Sequence, residues 1–155
     1  MINNNLKDCR EELDMTQEKL GYVFGVCKNT VSGWENWHDT IPFNKLIKFC
    51  NLYDYSLDYA IGFIRRNIKY GKIKTSKKRI GNKLKEIRKE LNLSQELLSR
   101  KCGISQSTYS AYERGQHLIN TLTIYAICKT YNISMDYILG RTNKKNIKQK
   151  GEMLR

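Results

Sequence analysis

The stretch Ser105-Gln106-Ser107-Thr108-Tyr109-Ser110-Ala111-Tyr112-Glu113-Arg114-Gly115 decides how the rest of the chain is read. Tyr109 and Tyr112 share one helical face with the upstream Ile104, and Gln106, Ser107, Ser110 and Ala111 share the opposite one. Ser105 fits an N-cap and Gly115 a residue just past a helix C-terminus, so both ends of one short helix are marked. Upstream, Ser94 to Cys102 reads as a second short helix capped by Ser94, and Gly103-Ile104 is the turn between the two. The outer face of the later helix carries an amide, hydroxyls and a methyl, with no bulk. Such a face suits base edges in a DNA major groove.

Two helices joined through a tight glycine turn make a helix-turn-helix. The segment LKEIRKELNLSQELLSRKCGISQSTYSAYERG, residues 84–115, resembles the phage-repressor (Cro/repressor, XRE) class of that motif. The resemblance is carried by Arg88, Ser94-Gln95-Glu96, Leu98, Gly103, Thr108, Glu113-Arg114-Gly115 and the later Ser134-Met135-Asp136. It implies a compact, all-α, lambda-repressor-like domain of five helices whose work is sequence-specific DNA binding.

Working outward, an internal repeat sets the domain count. A shift of 78 residues lays Leu6 on Leu84 and runs without a gap to Gly62 on Gly140. Identical pairs include Arg10/Arg88, Gln17/Gln95, Leu20/Leu98, Gly25/Gly103, Thr30/Thr108, Ser32/Ser110, Glu35/Glu113, Cys50/Cys128, Ser56/Ser134 and Asp58/Asp136. The chain is therefore expected to hold two tandem five-helix domains, 1–62 and 80–142, with a basic linker at 63–79 and a basic tail at 143–155. The resemblance covers both copies and leaves linker and tail outside it.

In the first copy the pattern predicts helices over about 3–13, from Thr16 to Phe24, over 28–35, after Pro42, and after Ser56. Leu6, Cys9, Leu13, Leu20, Val23, Val31 and Trp34 should face inward, and Lys28, Asn29, Ser32 and Gly33 outward. In the second copy helices are expected near 80–91, 95–102, 106–113, 121–131 and 135–139. By the resemblance, Gln106 sits at a base-reading position with Ser107, Ser110 and Ala111 on the same face. Gln95, and Gln17 in its repeat, sit at a position that contacts the DNA backbone. Arg10 with Glu35, and Arg88 with Glu113, match positions that form an ion pair. The first copy departs from the pattern at three places. Cys27 replaces the serine cap, Gly33 lies mid-helix, and Trp37 stands where the second copy has Gly115, so Asn36 is expected to take the left-handed conformation instead.

Charge divides the copies. The chain carries a formal net charge of +13. Residues 1–62 hold six Lys/Arg against nine Asp/Glu, a net of −3, whereas 63–79 is +8, 80–140 is +3 and 141–155 is +5. Affinity for phosphate should therefore sit around the second copy. Fully extended, the 17 linker residues would reach about 56–61 Å, beyond the roughly 34 Å between half-sites one turn apart. The tail, lacking apolar periodicity, is expected to be disordered.

The five cysteines form no CxxC pair and no histidine lies near them at ligand spacing. They are read as free thiols packed as small hydrophobes, and no metal or cofactor is expected. His38 and His117 are lone loop residues. Tyr53, Tyr59, Tyr131 and Tyr137 are read as core and rim packing, or as a dimer face. The polar, acidic N-terminus and the lack of a long apolar run fit a cytoplasmic protein. No nucleophile with a base, paired carboxylates or phosphate loop points to an enzyme. The leading expectation is a DNA-binding transcriptional regulator, a repressor, acting as a homodimer or an intramolecular pseudo-dimer on double-stranded DNA. The alternative is a protein-interaction or antitoxin-like module whose first copy no longer reads DNA.

Overall fold

The computed structural model describes residues 3–148 and divides the chain into two units, one up to Lys72 and one from Ile73. Unit one holds α1 (Leu6–Glu12), α2 (Gln17–Phe24), α3 (Lys28–Glu35), α4 (Phe43–Tyr53) and α5 (Leu57–Ala60). Unit two holds α6 (Lys77–Glu90), α7 (Gln95–Lys101), α8 (Gln106–Glu113), α9 (Thr121–Tyr131) and α10 (Met135–Ile138). The fold is all-α, five helices in each unit, as the tandem reading requires.

Most of the helices start at short polar side chains that satisfy the free N–H groups of the first turn. Thr16, Ser56, Ser76, Ser94, Ser105, Asn120 and Ser134 each accept a hydrogen bond from the backbone N–H three residues on. Each such cap is worth about 1 kcal/mol. Glycine ends α2 in the left-handed region, with Gly25 at φ 68°, and Gly103 at φ 70° makes the same turn after α7.

Each unit buries its own core. In unit one the core is aromatic: Phe24 meets Trp34 edge-on with ring centres 6.3 Å apart, and Phe49 stacks on Tyr55 at 5.7 Å. In unit two it is mainly aliphatic, built from Ile80, Leu84, Ile87, Leu98, Ile124 and Ile127 around a fully buried Tyr109. The repeat position of Tyr109 is Val31. Beside that smaller side chain unit one keeps a cavity of about 10 Å³ lined by Leu6, Leu20, Phe24, Trp34 and Phe49 among others.

Several expectations need correction. Helix α1 begins only at Leu6, and Leu13 lies at its C-cap, half-buried, while Met15 enters the core. Val23 is half-buried and Phe24 takes the inward place. Trp37 itself adopts the left-handed conformation at φ 63°, and Asn36 stays at φ −96°. The turn after α3 keeps the geometry that glycine supplies at Gly115, at a cost of about 1–3 kcal/mol for a residue with a side chain. Helix α6 starts at Lys77, because Ser76 caps it, so Lys77, Lys78 and Arg79 are helical and not linker.

Linker and tail are also more ordered than their composition implies. Asn67 accepts from the Ser56 N–H (2.8 Å) and donates to the Asp54 carbonyl (3.0 Å), while the Gly71 N–H binds the Asp54 carboxylate (3.1 Å). Residues 63–71 thus dock on unit one, and the reach expected of a 17-residue linker shrinks to that of residues 72–76, about 16–18 Å. Unit two repeats the device. Ser134 N–H donates to the Lys145 carbonyl (2.7 Å), Asn132 binds the Lys148 backbone through both ends of its amide (3.0 Å each), and Ile133 pairs with Asn146. The tail to Lys148 is therefore clasped to unit two, and the rest of the expected disorder falls outside the described residues. Cys9, Cys50 and Cys128 are buried, but Cys27 is exposed and Cys102 half-buried, so the packed-thiol reading fails at Cys27. Among the described residues no helix is long and apolar enough to cross a membrane.

Candidate nucleic-acid interface

Helix α8 is positioned by a buried charge. The Arg88 guanidinium on α6 donates to both Glu113 oxygens, at 2.6 and 3.3 Å, and to the Leu93 carbonyl at 2.8 Å. Gln95, the first residue of α7, donates its amide to the same carboxylate at 2.7 Å. One carboxylate thus ties α6, α7 and α8 together with its side chain only 2% exposed. Burial pushes the Glu113 carboxyl upward, but the hydrogen bonds from Arg88 and Gln95 outweigh it and hold it below the usual glutamate range. Unit one builds the same knot. Arg10 donates to Glu35 at 2.7 and 3.0 Å and to the Met15 carbonyl, and Gln17 reaches Glu35 at 3.1 Å.

The knot turns α8 so that Tyr109 and Tyr112 face the core while Gln106, Ser107 and Thr108 lie open to solvent. Ser110 is half-buried, and Ala111 is buried at 7% exposure. Ala111 is therefore removed from the open face on which the helical pattern places it. Arg114 extends that face. Its guanidinium donates to Ser110 Oγ (2.8 Å) and to Gln116 Oε1 (2.9 Å), which lays it along the stripe begun by Gln106 and Ser110. The pattern missed Arg114 as a surface group, although its i+4 spacing from Ser110 was the available signal. Gln95 is only half free, since one amide hydrogen serves Glu113 and the rest of the group remains for a ligand.

The corresponding face of unit one is Lys28 and Asn29, exposed, with Ser32 and Gly33 half-buried. Its helix is the weaker of the two. Ser105 caps α8 by accepting the Thr108 N–H at 3.1 Å, whereas Cys27 makes no cap bond and its sulfur lies 3.3 Å from Thr30 Oγ1. That contact holds the thiol below its ordinary pKa. A Cβ at Gly33 would meet nothing nearer than the Asp39 Cβ at 3.6 Å, an ordinary contact. Cys27→Ser with Gly33→Ala is thus expected to stabilise unit one by about 1–2 kcal/mol, from one cap and one glycine. Urea melts should show the gain, and a loss of stability would mean that the thiol contact matters more than a cap.

Unit one also ties several of its cations to its own backbone and carboxylates. Lys45 and Lys48 donate to the Phe24 and Val23 carbonyls at the end of α2 (3.0 and 3.1 Å), and Arg10 is spent on Glu35. Lys7, Lys19, Lys28 and Lys48 are exposed, as are Arg65, Arg66, Lys69 and Lys72 in the segment that docks on the unit.

A family model described as helix-turn-helix matches residues 6–59 and again 84–138, the two regions just described. The chain belongs to the XRE-type helix-turn-helix family of transcriptional regulators. It is 32% identical over 74 residues to YobD, a helix-turn-helix transcriptional regulator of Bacillus subtilis, covering 43% of this chain and 66% of YobD. Over 69 residues it is 35% identical to ImmR, another such regulator of that organism, covering 43% of this chain and 54% of ImmR. It is 36% identical over 67 residues to the antitoxin PezA of Streptococcus pneumoniae, covering 43% of this chain and 42% of PezA. The chain spans between 42% and 66% of the length of these relatives.

Proposed function

We propose that this chain is a cytoplasmic, sequence-specific DNA-binding repressor of transcription in which unit two reads the bases. The observation that carries the reading is the open, polar face of α8, held by the Arg88–Glu113–Gln95 knot. With α8 in the major groove, Gln106 pairs its amide with an adenine edge. Ser107 and Ser110 supply hydroxyls, and Gln95 meets a phosphate at the start of α7. Ala111 supports the face from beneath. Unit one contributes a second, weaker contact through Gln17, Lys28, Asn29 and Ser32, with Gly33 leaving room beside them. The partner is double-stranded DNA, engaged by one chain as a pseudo-dimer or by two as a homodimer.

A second reading, in which unit one docks a protein, draws on its exposed aromatics and its charge. Tyr22 is 89% exposed and Trp37 is 37% exposed, and residues 1–62 carry net −3 before Arg65, Arg66, Lys69 and Lys72 of the docked segment are added. Gel shifts of the full chain against fragments of its own genome, with a pull-down beside them, test the two. Shifts of specific fragments, lost on Gln106→Ala, support the repressor reading. Capture of a protein partner with no shift of any fragment would replace it by the second.

A further inference from the structure

Helix α6 is the longest helix described, at 14 residues. Along it Lys78, Asn82, Lys85 and Lys89 recur at i, i+4, i+7 and i+11, one helical stripe, and all four are exposed. Among the described residues none of the three lysines forms an ion pair, whereas Lys83 pairs with Glu86 on the neighbouring face.

The stripe borders the recognition helix. A Cβ on Gly81 would lie 2.4 Å from the Tyr112 carbonyl and 2.6 Å from that of Glu113, so α6 touches the C-terminal end of α8 through backbone alone. A Cβ on Gly115 would lie 2.7 Å from the Lys78 Cα. Arg88, further along the same edge, holds Glu113. Lys78 and Lys85 stand three and four residues from Gly81, and Lys85 and Lys89 stand three and one from Arg88. The lysines therefore sit on the flank next to the contact with α8. Unit one lacks the device. The residues matching Asn82, Lys85 and Lys89 are Asn4, Lys7 and Glu11, so an acid stands where unit two has Lys89, and Asn4 is turned onto the Trp34 carbonyl at 3.0 Å.

We propose that Lys78, Lys85 and Lys89 form a ridge that follows the phosphates of the DNA strand bordering the groove occupied by α8. The inference rests on the DNA-binding reading and deepens it. The eleven helical steps from Lys78 to Lys89 span about 16 Å. One DNA strand presents a phosphate about every 3.4 Å along the axis, so each ammonium finds one in reach. Asn82, uncharged and between them, adds an amide that bonds the same backbone. An acidic protein would satisfy the charge but not the placement beside the reading face.

The test uses the full chain carrying K78Q, K85Q and K89Q, against a control carrying K129Q, K144Q and K148Q, exposed lysines off the stripe. Both lose three charges. Circular dichroism and melting first establish that each folds as wild type. Affinity for a random-sequence 40-base-pair duplex and for a selected site is then measured over a salt series. In the ridge variant the slope of log K against log salt should fall by about 2.7, roughly 0.9 per lost contact, with at least about a tenfold loss near 0.1 M salt and an unchanged base preference. The control should lose less than about one unit of slope. Equal losses in both variants would make net charge, not the ridge, responsible. An unchanged slope in the ridge variant, or altered self-association in its place, would overturn the inference alone. A wild-type chain that binds no duplex would overturn the proposed function and the ridge with it.

Discussion

Glu113→Ala is expected to destabilise unit two by about 3–5 kcal/mol, because it leaves the Arg88 guanidinium buried without its carboxylate. Arg88 is 12% exposed at its side chain and Gln95 loses the same acceptor, so two donors on two helices are stranded at once. A domain of this size has a total stability on the order of 5–10 kcal/mol, so the variant should melt far below wild type. The pH dependence carries a second signature. The folded-state pKa of Glu113 lies below its unfolded value, so its contribution is complete above the ordinary glutamate value of about 4.3. It is lost as pH falls through the depressed folded-state value. The stability gap between wild type and variant should therefore close in acid. A Glu113→Ala chain with unchanged melting and lost DNA binding would make Glu113 part of the interface and not its support.

Arg141→Ala is expected to cost a similar amount, about 3–5 kcal/mol, in the same unit. Arg141 Nη1 donates to Asp136 Oδ1 at 2.9 Å, with side chains only 1% and 0% exposed. The pair ties Arg141, three residues past the end of α10, to the first turn of that helix, and removing the arginine leaves a fully buried carboxylate. The helix N-terminus offsets part of that charge but does not replace a hydrogen-bonded cation. Thermal melts check it, with Arg100→Ala as control. Arg100 pairs with Glu96 where both are more than 60% exposed, and its loss should change stability by less than about 1 kcal/mol. Equal effects of the two substitutions would mean that burial does not set the worth of these pairs.

The repeat made most of the fold legible, because two copies aligned without a gap report the same caps, turns and apolar spacing twice. Thr16, Ser94, Ser105 and Ser134 mark helix starts through chemistry confined to three residues, and such local signals survive in a bare sequence. What was not legible depends on contacts across the fold. Trp37 takes a left-handed backbone because the turn into the following loop demands it, even though the local preference favours Asn36. The tail looked featureless, yet Asn132 in the left-handed conformation offers its side-chain amide to the Lys148 backbone. Asn67, a single polar residue in a basic run, locks the linker onto unit one by two hydrogen bonds.

At the interface, the open face of α8 was readable from the spacing of its tyrosines, which fix the buried side. The periodicity erred at Ala111, which lies near the edge of that face and is covered. It passed over Arg114, whose role depends on the fork it makes to Ser110 and Gln116. It could not show that Lys45 and Lys48 donate to the carbonyls at the end of α2.

The central claim is that α8 reads bases and α3 contributes little to the reading. Binding-site selection on the full chain, wild type beside Gln106→Ala and Asn29→Ala, tests it most directly. Gln106→Ala should erase the preference at one base step, worth about 1–3 kcal/mol, while Asn29→Ala leaves the selected motif in place. A motif that survives Gln106→Ala unchanged, or that Asn29→Ala degrades as much, would contradict the account.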